Sequence, residues 1–172
     1  HRKRAWTTLF SGGHYHYIDF SIVNGAETGT AQSQRHIRTW MKHLSEFVHS
    51  LDLSRARPMG GIVTEQPEHV LEVVFGVAGE DYCVYLADER ECAAARDLPD
   101  GDQIERGAGQ PIWGIVRLNL PSGAYRAACY DPKAGLYSPA LEIQGDPAGV
   151  QLPLPEFVHD LVIRITRQPP TS

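Results

Sequence analysis

Two stretches of the 172-residue sequence hold side chains that could engage a ligand. The first is SGGHYHYIDFSIVNGAETGT, where a glycine pair precedes Tyr15, His16, Tyr17 and Asp19, and a glycine-rich loop carries Glu27. Paired glycines let a backbone approach another surface closely, and tyrosine and histidine rings both stack and hydrogen bond. His14 and His16 would share one face of a strand, but they lack a convincing third ligand, so solvated polar side chains are the better reading than a metal site. Asp19 and Glu27 are a conceivable acid–base pair, yet their glycine-rich flanks would hold them poorly for catalysis. The second set is Trp113, Tyr130 and Tyr137, which lie near strand ends or turns and would offer exposed rings to a sugar or a matrix protein. No catalytic residue, metal or cofactor is expected from either set.

The elements that must carry these residues are mostly strands. VRLNLPSGAYRAACYDPKAGLY contains two period-two runs joined by Pro121-Ser122-Gly123 and closed by Asp131-Pro132-Lys133-Ala134-Gly135. Tyr125, Ala127 and Cys129 fall on one face of the second run, Arg126, Ala128 and Tyr130 on the other. Two successive hairpin signals predict an antiparallel meander. Further strands are expected at 69–76, 81–87, 141–144, 150–154 and 158–167, giving about seven, the pattern of an antiparallel β-sandwich. In the last, His159, Leu161, Ile163 and Ile165 form the better buried face, against Val158, Asp160, Val162 and Arg164. Residues 88–110, rich in charge, glycine and alanine, predict an exposed insertion with one short helical turn.

Gln32 to Leu51 predicts one long amphipathic helix, because Ile37, Trp40, Met41, Leu44, Phe47, Val48 and Leu51 form a continuous apolar stripe. His36, His43 and His49 fall beside that stripe, on a solvated face. Burying Trp40 and Phe47 contributes roughly 1.5 to 3 kcal/mol each, so the helix needs another layer over it. Either the sandwich or a further domain must supply that layer.

Charge divides the chain. Six of its 16 Lys and Arg lie in residues 1–50 against three acids, so that part carries +3 and the remainder -8. A boundary is expected near Arg57–Gly61, with a first unit at 1–58 and a second at 59–172. The acidic second unit disfavours nucleic acid, and no phosphate loop, nucleophile elbow or Walker pattern occurs. No apolar run approaches the roughly 20 residues of a spanning helix, so no membrane partner is expected. The basic run His1 to Arg4 suggests a cut end rather than a natural start. Of three cysteines, Cys83 and Cys129 sit in strand patterns and predict buried thiols; a Cys83–Cys92 bridge stays open if the protein is secreted.

Several segments in order resemble a known family. YCVYLADERE, LNLPSGAYRAACYDPKAG and FVHDLVIRI are similar to the C-terminal β-sandwich of bacterial glycoside hydrolases, a domain labelled collagen-binding in collagenase-like proteins. FSGGHYHYIDFSIVNGAETGT resembles the last strand and loop of a (β/α)8 barrel, and the helix running to FVHSLDLSRARP its last helix. The resemblance implies the C-terminal end of a longer, secreted or periplasmic polysaccharide-acting enzyme whose catalytic acids lie upstream of His1. The partners it implies are that upstream barrel domain and a polysaccharide, with Tyr15, His16, Tyr17, Asp19 or Glu27 lining the cleft. Cys129 departs from the family, which has a large aromatic there. Two roles for the sandwich follow, architectural support or carbohydrate or matrix binding, and nothing in these residues points to collagen itself.

Overall fold

The computed structural model describes residues 1–16, 30–93 and 108–169. Helices α1 (Arg2–Phe10) and α2 (Ala31–His49) come first. Strands β1 (Arg57–Met59), β2 (Val63–Glu65), β3 (Val70–Val77) and β4 (Asp81–Asp88) follow, then a short α3 (Arg90–Ala93). The rest is β5 (Ile112–Leu118), β6 (Gly123–Asp131), β7 (Leu136–Tyr137), β8 (Leu141–Gly145), β9 (Val150–Phe157) and β10 (Asp160–Arg167). The fold is a mainly β, antiparallel sandwich, as the strand spacing predicts. One sheet has the order β1-β3-β4-β10-β6-β7, with β8 also on β6, and the other is β2-β5-β9.

Two apolar cores make three layers. Between the sheets, Tyr82, Val84, Ile163 and Tyr125 meet Val116, Leu118, Leu120 and Leu152. On the other side of the large sheet, Cys83, Tyr85, Tyr130 and Val162 meet Trp6 and Phe10 of α1 and Leu44 and Phe47 of α2. The sandwich and α1 together cover the later part of the α2 stripe, Leu44, Phe47 and Leu51, whereas Trp40, expected in the core, is half-buried beneath the Arg2 guanidinium. Because β4 is covered on both faces, Tyr82 through Asp88 are all buried, and their sequence shows no polar alternation.

One element is added to those expected, and two expectations are corrected. The basic run at the N-terminus is part of a helix: Ala5, Trp6, Leu9 and Phe10 recur at helical spacing, and Arg2 is buried with them. Residues 11–16 lead away without regular structure, and most of the expected barrel strand, residues 17–29, lies outside the described residues. Of the two expected hairpins only the second forms, β6 with β7 across Asp131–Gly135, because β5 pairs with β2 and β9 whereas β6 pairs with β7, β8 and β10. Pro121-Ser122-Gly123 is a corner between sheets: Leu118, Leu120 and Tyr125 face one another across the core, and the Tyr125 hydroxyl donates to the Pro121 carbonyl at 3.0 Å. Such a tyrosine pins a sandwich corner. Last, β10 buries both faces, since Asp160 and Val162 are covered by the helices as fully as Ile163 and Ile165 are by the second sheet.

Candidate functional site

The densest polar and aromatic geometry lies where the helices meet β10. Asp160, 3 % exposed, accepts hydrogen bonds from Arg2 Nη2 at 2.6 Å and Nε at 2.9 Å and from the Tyr85 hydroxyl at 3.0 Å. Burial works against the Arg2 charge, but the bond to Asp160 outweighs it and raises the guanidinium pKa. Arg164 binds Asp81 through Nη2 at 2.8 Å, and reaches Ser50 Oγ at 2.8 Å and the Ser50 carbonyl at 3.1 Å, just past the end of α2. Between these charges, Trp6 stacks on Tyr85 with centroids 5.6 Å apart and meets Phe47 edge-on at 5.0 Å. The Tyr130 hydroxyl donates to the His43 carbonyl at 3.3 Å, and burial pushes its pKa up to about 12.

The turn after β6 seats α2. Asp131 Oδ1 accepts from the backbone N–H of Lys133 at 2.7 Å and Ala134 at 3.0 Å. Gly135 closes the turn at φ +73°, where a Cβ would stand 2.7 Å from the His43 ring. Asp, Pro and Gly at these positions are what such a turn requires.

A cleft of about 860 Å³ opens beside α1, lined by Lys3, Tyr15, Trp40, Glu91, Lys133 and His159. Lys3 Nζ pairs with Glu91 and donates to the Asp88 carbonyl at 3.0 Å, while His159 Nδ1 meets the other Glu91 oxygen. Burial pushes the Glu91 carboxyl up, but Lys3 and His159 outweigh it and hold the group below the usual carboxylate range. Asp88 is likewise held low: its burial is overcome by Arg90 and by the Gly109 N–H. A glycosidase acid must keep its proton near neutrality. Among the described residues, Asp81, Asp88, Glu91 and Asp160 are each committed to a cation of the fold.

The aromatic candidates among the described residues do not form one surface. Tyr15 is half-buried in the cleft beside α1, and His16 is exposed. Tyr17, Asp19 and Glu27 lie outside the described residues. Tyr130, expected to be accessible, is 4 % exposed because Phe47 and Trp6 cover it. Tyr137 is 47 % exposed, packs on Tyr130 at 4.8 Å and lines a separate cleft of about 560 Å³ with Leu136 and Phe157. Trp113, 67 % exposed, belongs to the other sheet. Cys83 is a buried free thiol whose pKa burial raises, and Cys129 is free and half-buried. Sequence patterns missed Arg2, Asp160 and Arg164. The usable signal was the alternation Asp160, Val162, Arg164, which places two charges around an apolar residue in a strand whose other face is apolar.

No protein-family model matches the sequence, and no curated protein does. Solved structures do share the fold. One described as a glycoside hydrolase superposes with a TM-score of 0.63 at 12% identity, covering 96% of this chain and 36% of its own. A glycoside hydrolase family 5 protein from Bacteroides vulgatus ATCC 8482 superposes equally, at 0.63 and 12%, covering 96% and 35%. The chain thus spans about a third of the length of these structures and has the fold of the part it covers.

Proposed function

We propose that this chain is the supporting β-sandwich, with two attached helices, of a polysaccharide-acting glycoside hydrolase, and that its role is architectural. The observation that carries this reading is the shared core: α1 and α2 bury Trp6, Phe10, Leu44 and Phe47 against the large sheet, and β10 holds an end of each. Helices of a catalytic barrel fastened in this way would be fixed in position by the sandwich. The fold shared with glycoside hydrolases over 96% of the chain supports the reading. So does the pairing of the buried carboxylates with cations of the fold, Asp160 with Arg2 and Asp88 with Arg90. In this reading the catalytic acids belong to an upstream barrel, and the enzyme is secreted or periplasmic.

Incubating the purified chain with soluble and insoluble polysaccharides and measuring new reducing ends tests it. Release no greater than the blank is expected. Sustained release by the chain alone would overturn the architectural role.

A further inference from the structure

Both faces of the large sheet are covered, one by the helices and one by the small sheet. The outer face of the small sheet carries apolar side chains in the open. Trp113 is 67 % and Ile115 37 % exposed, and exposed Pro153 stands opposite Ile115 in register. A cleft of about 520 Å³ runs beside this face, lined by Trp113 with Gln66, Glu68, His69 and Arg90.

Three backbone irregularities border this face. The register of β5 against β9 slips between Ile112 and Gly114, where β9 sets two residues, Pro155 and Glu156, opposite the single Trp113. Gly114 has φ +141°, and a Cβ there would stand 3.2 Å from Pro67 Cγ, so the 66–69 loop lies directly against β5. In that loop His69 holds φ +62°, a conformation few non-glycine residues adopt and one that concentrates at ligand sites. The polar groups are held before any ligand arrives. The Gln66 amide is oriented by its bond to the Val70 carbonyl at 2.6 Å, and the Arg90 guanidinium by Asp88 at 2.7 and 3.0 Å. Glu68 is exposed on the rim.

An open indole beside a fixed guanidinium and a carboxylate suits a pyranose ring. The C–H face of the sugar stacks on the ring and its hydroxyls meet the planar polar groups. Charges of both signs on the rim give no pull on a polyanion. We propose that Trp113 is the stacking platform of a surface site for a neutral polysaccharide, on the face of the sandwich remote from the helices. The site is additional to the architectural role. It makes no use of the helix joint, and its test does not depend on hydrolysis.

Affinity electrophoresis in gels containing β-glucan, xylan, mannan or galactan, with type I collagen binding run in parallel, tests the site. Retardation by at least one neutral polysaccharide is expected, weakened at least tenfold by Trp113→Ala, reduced by Glu68→Gln and unchanged by Tyr137→Ala. Circular dichroism should show Trp113→Ala folded, since the side chain is mostly exposed. No retardation of the folded wild type by any of the four would overturn the proposal, as would retardation indifferent to Trp113→Ala. Collagen binding lost in Trp113→Ala without polysaccharide binding would overturn the sugar assignment.

Discussion

Asp160 and Arg164 stand four residues apart on the helix-facing side of β10 and hold opposite ends of two different helices. Asp160 accepts from Arg2, the first residue of α1, at 2.6 Å; Arg164 donates to the Ser50 carbonyl, just beyond α2, at 3.1 Å. The carboxylate lies at a helix N-terminus and the guanidinium at a C-terminus, the favourable sense for the helix dipole in both cases. Val162 lies between them in the aromatic core. Because β10 pairs with β4 on one side and β6 on the other, this clamp is built on a central strand.

The Arg2–Asp160 pair is buried, so removing one partner leaves the other as an uncompensated charge. Arg2→Met should cost about 3–5 kcal/mol. The double variant Arg2→Met, Asp160→Leu should lose less than the sum of the single losses, the excess measuring their coupling. Urea denaturation of the four proteins checks this.

Trp6 is fully buried among Phe10, Phe47, Tyr85 and Tyr130. Trp6→Ala should cost about 3–5 kcal/mol, and Trp6→Phe clearly less because part of the ring contact survives. Thermal melts followed by circular dichroism read the order of the three.

Gly135 combines a left-handed backbone with a close approach to His43. Gly135→Ala should cost about 1–3 kcal/mol, and part of that should return in a His43→Ala background, where the ring is gone. Chemical denaturation of the single and double variants separates the steric from the backbone contribution.

Glu91 gives a pH dependence of known sign. Its folded-state pKa is lowered, so its contribution is fully present above the ordinary glutamate pKa of about 4.3 and is lost as pH falls through the folded value. The stability gap between wild type and Glu91→Gln should be widest at neutral pH and narrow below about pH 4. Denaturation midpoints measured from pH 7 to 3 test this, and a gap constant across that range would refute it.

Local patterns revealed most of the strands and α2, because each buries one stripe or one alternating face. The second strand of the signature stretch behaves as its alternation predicts: Tyr125 and Ala127 point between the sheets and Tyr130 toward the helices. What local patterns did not reveal depends on distant partners. Pro121-Ser122-Gly123 reads equally as a hairpin or a corner, and only the pairing of its flanking strands with different sheets decides between them. The burial of Arg2 needs Asp160, 158 residues away in sequence. Position near a strand end suggests an exposed ring for both Trp113 and Tyr130, yet only Trp113 is exposed, because α1 and α2 seal Tyr130.

Hydrogen exchange of the intact chain, read by mass spectrometry on peptides from α1, α2 and β10, tests the clamp most directly. If the helices and the sandwich are one mechanical unit, peptides covering 5–10 and 40–48 should show protection close to that of 160–166 and lose it together as denaturant is raised. Helix peptides that exchange freely while β10 stays protected would contradict the architectural account.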